Sequence, residues 1–203
     1  MTQPLWRNRP PTFASRIAGA VLRAAGWTVL LEQPPGPKVV SVVYPHTSNW
    51  DFPIGILWAW ATRSPVKFVA KHSLFRPPFG GVLRAMGGVS VDRRRAGGNF
   101  VQAVADMIRD QKEIMLVVAP EGTRARADHW KSGFYYMAVK ADVSIAMTVL
   151  DWGRREIGTV GYIRPTGNVH ADYEKFRVCL DGRRGRKPEN ETPIRPREEP
   201  TGT

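Results

Sequence analysis

The chain has 203 residues and a formal net charge of +12, and 42% of its residues are hydrophobic. This length and apolar fraction fit one globular domain, and the charge predicts attraction to nucleic acid, an anionic membrane surface or a phosphorylated substrate. The single cysteine, Cys179, excludes an intramolecular disulfide framework and a cysteine-rich metal site, which is typical of proteins from a reducing compartment.

Residues 1–37 are predicted to form an amphipathic helix and a linker. Apolar side chains recur near one helical face with arginines around them, whereas no apolar run reaches the ~18 residues that would span a bilayer. Such a helix can pack on the domain or lie in a membrane interface, and periodicity alone favours packing. A proline-rich breaker at residues 33–37 ends the segment. The apolar positions are Phe13, Ile17, Val21, Ala24 and Leu31.

Residues 38–180 alternate strand-like with helix-like runs, which predicts an α/β fold with a mostly parallel sheet flanked by helices. Residues 39–44 are β-branched and almost uniformly apolar, as expected for a strand buried on both faces. Further strands are predicted at residues 66–70, 87–93, 114–118 and 144–150, with a possible edge strand at 159–163. Helices are predicted at residues 52–61, 99–111 and 134–140, and a loop followed by a helix at residues 73–85.

Residues 181–203 differ in composition from the rest of the chain. They are rich in Arg, Lys, Glu, Pro and Gly, and they contain few apolar residues. A segment of this kind buries too little apolar surface to offset the entropy lost on ordering. The sequence therefore predicts a disordered tail after the domain.

The sequence HTSNWD at residues 46–51 lies between the first predicted strand of the domain and the helix that follows. Such a loop lies at the carboxyl end of the strand, and in open α/β sheets the ligand-binding and catalytic sites are built at that edge. Asp51 can be a capping-box residue if Ser48 caps the helix. Alternatively, its carboxylate orients the His46 imidazole as a general base, which typically contributes ~10²–10⁴-fold to a rate. These residues alone leave both alternatives open.

A second polar loop, PEGTR at residues 120–124, follows the strand predicted at residues 114–118. Gly122 allows a close backbone approach, the Thr123 hydroxyl can donate to an oxyanion, and the planar Arg124 guanidinium suits phosphate oxygens. A turn with solvated charges is the alternative. The loop is therefore a candidate anion site.

Two further cations are candidates for the same site. Arg93 ends the strand predicted at residues 87–93, and that end should fall at the same sheet edge as His46. A plain solvated run of charge is the alternative for Arg93. Lys131, a few residues beyond Arg124, is the second candidate.

The order and character of these motifs resemble the lysophospholipid acyltransferase superfamily, the glycerolipid acyltransferases that include 1-acylglycerol-3-phosphate acyltransferase. HTSNWD stands where the family has its His-four-residues-Asp motif, GVSVDR at residues 88–93 is similar to its second block, and PEGTR matches its third block in full. Two departures stand out. Pro45 replaces the asparagine that usually precedes the histidine, and residues 143–147 lack the prolines of the fourth block.

The resemblance implies that His46 takes a proton from an acceptor hydroxyl while that oxygen attacks an acyl thioester, and that Asp51 orients His46. The donor would be acyl-CoA or an acyl carrier protein, and no metal or cofactor is implied. The acceptor would be a lysophospholipid or a glycerol-phosphate-type molecule. The residues expected to bind substrate, above all the acceptor's phosphate, are Arg93, Glu121, Gly122, Thr123, Arg124 and Lys131.

The same resemblance implies a role in phospholipid biosynthesis at the cytoplasmic membrane face, with the protein bound peripherally to an anionic surface. Membrane contact by the N-terminal helix is then as well supported as packing on the domain. Candidate interface residues are Trp6, Trp27, Trp58 and Trp60, although a core position is favoured for the last two. A thioesterase or esterase with the same His–Asp pair is one competing function. The other is a nucleic-acid-binding module, although no helix-turn-helix, zinc or RNA-recognition signature accompanies the basic residues.

Overall fold

The structure is a computed structural model that describes residues 6–71, 75, 80–91 and 99–197. Its strands are β1 (Thr28–Leu31), β2 (Lys38–Tyr44), β3 (Val66–Lys71), β4 (Gly88–Val91), β5 (Ile114–Val118), β6 (Ser144–Asp151) and β7 (Glu156–Ile163). Its helices are α1 (Phe13–Ala24), α2 (Asp51–Thr62), α3 (Gly80–Ala85), α4 (Phe100–Asp110), α5 (Gly133–Ala141) and α6 (Val169–Cys179).

Within the described ranges the strands form one seven-stranded sheet in the order β1-β7-β6-β2-β5-β3-β4. Each neighbouring pair is parallel except β6 and β7, which are antiparallel. The predicted α/β class with a mostly parallel sheet flanked by helices is therefore confirmed. Because β2, β5 and β6 run side by side in one direction, the loops after these three strands meet at one edge of the sheet.

The central strand β2 is buried on both faces, as its uniformly apolar sequence predicts. Val40, Val42 and Tyr44 belong to a core that α4, α5 and α6 cover, whereas Val39 belongs to the core beneath α1 and α2. The first core is rich in aromatic rings, and Trp130 packs against Tyr44 with ring centroids 5.3 Å apart. The two layers of helices hold the strand ends, and the loops that follow them, in fixed positions.

Strand β1 is absent from the sequence-based prediction. It pairs in parallel with β7, so that the strand predicted at residues 159–163 is an internal strand and not an edge. Leu31 belongs to β1 and not to the N-terminal helix, which ends at Ala24. Residues 1–37 are therefore more than a helix and a linker, because they also contribute an outer strand of the sheet. Strand β1 was missed because four residues are too few to show a hydrophobic period in the sequence.

Helix α1 begins at a capping box in which Thr12 and Ser15 exchange hydrogen bonds between side chain and backbone. Its buried positions are small except for Leu22, and they let α1 pack closely on α2, where Gly19 approaches Ala61. None of the helices in the described ranges is both long and apolar enough to span a membrane.

The apolar stripe of α1 faces away from the domain. Phe13 is 81% exposed, and Ile17 and Val21 are also exposed. Of the tryptophans proposed for a membrane interface, Trp60 on α2 is exposed. The core position favoured for Trp60 is therefore wrong, whereas the one favoured for Trp58 is confirmed. Trp6 and Trp27 are also buried in the core under α1 and α2, so the expectation of an interface position is wrong for them.

The structure also differs from the predicted disordered tail. Residues 181–197 pack along the domain, where Thr192 is fully buried and the carbonyl oxygens of Arg184 and Arg195 accept backbone hydrogen bonds of 2.8 and 2.9 Å. Most of these contacts come from the backbone and from charged side chains, so a composition poor in apolar residues did not reveal them. Residues 198–203 lie outside the described residues.

Candidate active site

The HTSNWD loop connects β2 to α2 at the edge where the carboxyl ends of β2, β5 and β6 meet. Pro45, which departs from the family pattern, follows Tyr44 through a cis peptide bond. The loop then places His46 beside Asp51, the first residue of α2. The side-chain atoms His46 Nδ1 and Asp51 Oδ2 are 3.1 Å apart.

Asp51 does not form the capping box that its sequence position allowed, because the N-cap residue of α2 is Trp50 and the Ser48 hydroxyl accepts from the Trp50 N–H. Its Oδ2 atom accepts a 2.9 Å hydrogen bond from the Ser48 backbone N–H, and the same atom faces His46. Its Oδ1 atom accepts a 2.8 Å hydrogen bond from the indole N–H of Trp152. The side chain is only 1% exposed, so these donors replace the hydrogen bonds to water that the carboxylate loses on burial.

This arrangement fixes the orientation of His46. Hydrogen bonding to Asp51 assigns the proton to Nδ1, which leaves Nε2 as the nitrogen that can accept a proton. The imidazole is 19% exposed and lines a cavity of about 480 Å³. The geometry is that of a general base held by a carboxylate.

The cavity lies between α2 and the sheet and is mostly apolar. Its volume falls within the range of roughly 300–1,000 Å³ that is usual for small-molecule sites. Asp51 and Arg124 supply its charged groups, and His46 supplies its imidazole. Its apolar walls come from α2, α3 and five strands, and include Val43, Gly55, Trp58, Phe68, Leu83 and Ile157.

The PEGTR loop follows β5 and brings Arg124 to the same cavity as His46. Gly122 has a φ of +69°, a left-handed conformation that favours glycine, and the Lys131 side chain lies directly against it. Arg124 and Lys131 are both exposed, and neither forms an ion pair with any residue that the structure describes. Thr123 is exposed beside them, and its hydroxyl accepts the Ala125 N–H.

Glu121 occupies a different position from the one expected. Its side chain is buried, and its Oε1 atom accepts a 3.4 Å hydrogen bond from the His46 backbone N–H, so the carboxyl supports the loop and does not reach an exposed phosphate site. Its Oε2 atom has no hydrogen-bond partner among the described residues. Burial raises the pKa of Glu121 to about 8, against the opposing effect of the His46 N–H, and the Asp51 and Glu191 carboxylates add to the rise.

Arg93 lies outside the described residues. In the part of the chain that the structure covers, no three His, Cys, Asp or Glu side chains are grouped as ligands for a metal ion.

Trp152 is a site residue that sequence reasoning missed. It follows β6 directly, so its position after a strand parallel to β2 was the available signal. It lies 101 residues from Asp51 and belongs to none of the motifs, and only the order of the strands brings the two side chains together.

Comparisons with known proteins agree with this fold. A family model described as acyltransferase matches residues 32–150. Among solved structures, the chain is similar to the crystal structure of the 1-acyl-sn-glycerophosphate (LPA) acyltransferase PlsC from Thermotoga maritima, with 17% sequence identity and a TM-score of 0.55. That match covers 83% of this chain and 74% of the other one. A search of the curated proteins found no match.

We expect Glu121→Gln to weaken the dependence of folding stability on pH. Between about 4.5, the ordinary pKa of the side chain, and about 8, folded Glu121 keeps a proton that the unfolded chain loses. The free energy of unfolding of the wild type should therefore fall as pH rises, by at most about 1.4 kcal/mol per pH unit from this group. Glutamine does not titrate, so the free energy of unfolding of Glu121→Gln should change less with pH.

Urea unfolding at several pH values between 5 and 8 measures this effect. Glu189→Gln, at an exposed position, is the matched control and should follow the wild type. Parallel curves for wild type and Glu121→Gln would contradict the prediction.

Proposed function

Because the chain belongs to the acyltransferase family, we propose that it moves a fatty acyl group from an acyl thioester to a hydroxyl of a lysophospholipid or glycerol-phosphate-type acceptor. The observation that carries this proposal is the 3.1 Å contact of His46 Nδ1 with Asp51 Oδ2 at an apolar cavity that Arg124 also lines. A base, an anion-binding cation and an apolar space for an acyl chain are the three elements that this reaction requires.

The reaction begins with the acceptor hydroxyl beside His46 Nε2. As the hydroxyl oxygen attacks the thioester carbonyl carbon, its proton passes to Nε2, and Asp51 stabilises the imidazolium that forms. The tetrahedral intermediate then expels the thiolate, which takes the proton from His46. The products are the acceptor ester and a free thiol, and His46 returns to its initial state.

Transfer is direct, without an acyl-enzyme. Ser48 is buried, its hydroxyl oxygen accepts a 3.2 Å hydrogen bond from the Trp50 N–H, and no nucleophile-elbow glycines surround it. The donor is acyl-CoA or an acyl carrier protein, and the reaction needs no metal or other cofactor.

The acceptor's phosphate is proposed to bind at the PEGTR loop. Arg124 and Lys131 are exposed cations without an ion-pair partner among the described residues, so they are available to an anion. Thr123 and the backbone at Gly122 lie on the same loop, and Arg93 remains a proposed additional cation. Arginine suits this role because its planar guanidinium can donate two parallel hydrogen bonds to phosphate oxygens.

We expect His46→Ala and Asp51→Asn each to lower acyl transfer by ~10²-fold or more, because each removes part of the general base. Arg124→Ala should mainly raise the KM for the acceptor, by roughly 10-fold, the loss expected for one charge-assisted hydrogen bond. Transfer of labelled acyl-CoA to lysophosphatidate measures both effects, with melting temperatures to confirm folding.

The same assay without acceptor separates transfer from hydrolysis, because a thioesterase releases free acid whether or not the acceptor is present. Near-normal turnover in His46→Ala would overturn the mechanism. Free acid formed at equal rates with and without lysophosphatidate would instead indicate the hydrolase.

The apolar cavity is proposed to hold the acyl chain of the donor. Gly55 on α2 lines it, and a Cβ atom at this position would meet no other atom within 4 Å. A larger side chain at position 55 would therefore extend into the cavity without first disturbing the packing of the helix.

We expect Gly55→Leu to shift the preferred acyl chain toward shorter lengths. Each methylene that fits or fails to fit in an apolar pocket changes specificity by ~10-fold or more. The ratio of kcat/KM for long and short acyl-CoA substrates measures the shift. Gly55→Ala is the matched control, because a methyl group occupies little of the cavity. An unchanged chain-length profile in Gly55→Leu would show that the acyl chain lies elsewhere.

The proposal extends to peripheral attachment at the cytoplasmic membrane face. The exposed stripe of Phe13, Ile17 and Val21 on α1 gives apolar contact, and the exposed Arg16 and Arg23 on the same helix can face anionic headgroups. Interfacial helices bind membranes through buried apolar side chains together with basic ones, and each Lys or Arg near an anionic surface contributes about 1 kcal/mol of binding free energy.

We expect the double variant Phe13→Glu with Ile17→Glu to lose co-flotation with anionic liposomes, because it places two negative charges on the apolar stripe. Val178→Glu is the matched control, since Val178 is 76% exposed on α6, on the other side of the sheet. Equal flotation of both variants would contradict the proposed surface. Tight binding to duplex DNA without lipid association would instead favour the nucleic-acid-binding module.

A further inference from the structure

The chain beyond α6 returns to the edge of the sheet that carries His46. We call residues 183–197 the C-terminal strap. Arg183 anchors it through ion pairs to Glu156 and, at 3.5 Å, to the fully buried Asp151. The carbonyl oxygen of Arg184 accepts a 2.8 Å hydrogen bond from the Trp152 backbone N–H. The strap is therefore fixed to the end of β6 and the turn that follows it.

One contact of the strap is made with Thr47, the neighbour of His46. The Lys187 backbone N–H donates a 3.1 Å hydrogen bond to Thr47 Oγ1. Gly185 packs so closely that a Cβ atom there would lie 2.6 Å from Thr47 Oγ1, 2.9 Å from Thr47 Cγ2 and 3.2 Å from Pro45 Cβ. The backbone of the strap thus closes directly onto the residues on both sides of His46.

A second contact leads to Asp51. The Arg186 guanidinium carbon lies 4.9 Å from the ring centroid of Trp152 and 5.3 Å from that of Trp50, distances at which a cation interacts with an aromatic face. Trp152 in turn donates its indole N–H to Asp51 Oδ1. Arg186 therefore contacts both Trp50, the residue before Asp51 in the chain, and Trp152, which bonds to the Asp51 carboxylate.

We propose that the strap and Trp152 position the catalytic loop, the strap through Thr47 beside His46 and Trp152 through Asp51. With Oδ1 bonded to Trp152, the carboxylate is fixed with Oδ2 facing His46 Nδ1. Neither Trp152 nor any residue of the strap is among the described residues that line the cavity, so they act on the base and not on the substrate. The inference rests on the proposed catalytic role of His46 and Asp51.

The first test is a double-mutant cycle in the full-length protein. Gly185→Ala introduces a methyl group against Thr47 and should lower kcat by on the order of 10-fold to 100-fold, because small displacements of a catalytic group are costly. The KM for each substrate should stay within about twofold. Thr47→Ala removes two of the three atoms that the methyl group would meet, so Gly185→Ala should cost less in that background.

The matched control for this cycle is Gly36→Ala, where a Cβ atom meets nothing within 4 Å. It should leave kcat unchanged. Fully additive effects of Gly185→Ala and Thr47→Ala, or a wild-type kcat in Gly185→Ala, would overturn the role of the strap.

The second test is Trp152→Phe, which keeps an aromatic ring and deletes the N–H donor to Asp51. We expect a lower kcat, unchanged KM values and a small change in melting temperature. Trp6→Phe is the matched control, because the buried Trp6 indole N–H has no partner among the described residues and its loss removes no hydrogen bond. Trp152→Phe adds no atoms to the packed loop, so it tests the part of the proposal that acts through Asp51 even if Gly185→Ala fails to fold.

His46→Ala distinguishes failure of this inference from failure of the proposed function. An inactive His46→Ala protein together with wild-type kcat in Gly185→Ala and Trp152→Phe overturns the positioning role and leaves the proposed function standing. An active His46→Ala protein overturns the proposed function itself. A lower melting temperature with an unchanged kcat in Gly185→Ala would show that the strap only stabilises the fold.

Discussion

Burying the Asp51 carboxylate is the constraint on which the site depends. An ionised carboxylate removed from water is stable only when hydrogen-bond donors surround it. Here the donors are His46 and the Ser48 backbone, on the loop that follows β2, and Trp152, which directly follows β6. The requirement for these donors therefore fixes both the start of α2 and the orientation of the imidazole, and it links strands that are distant in sequence.

Two carboxyl groups lie next to His46 in contrasting environments. Asp51 has donors on both oxygens, whereas Glu121 has one 3.4 Å hydrogen bond and an oxygen without a partner among the described residues. Burial accordingly raises the pKa of Glu121 to about 8, so much of it is neutral near pH 7. The difference keeps negative charge on the side of His46 that bonds to Nδ1, and it limits repulsion between the two buried groups.

The sequence predicted the features that depend on local patterns. The uniform apolar run of β2 indicated a strand buried on both faces, the fold class followed from the alternation of elements, and the match to the acyltransferase family agrees with the resemblance that the motifs indicated. Contacts that depend on distant backbone were not predictable in this way. Strand β1 has only four residues, and Gly185 contacts the Thr47 side chain through its backbone. Neither feature therefore left a periodic or compositional signal in the sequence. The role of Arg93 stays a prediction.

The hydrogen bond from Lys187 to Thr47 joins residues 140 positions apart in the chain. During synthesis, β2 and the HTSNWD loop leave the ribosome long before the strap exists, and α2 can form while Thr47 still lacks its partner. The hydrogen bond to Thr47 can therefore form only after residue 187 has emerged. In this protein the contacts around His46 are thus completed late in translation, when nearly all of the described fold is already available to enclose them.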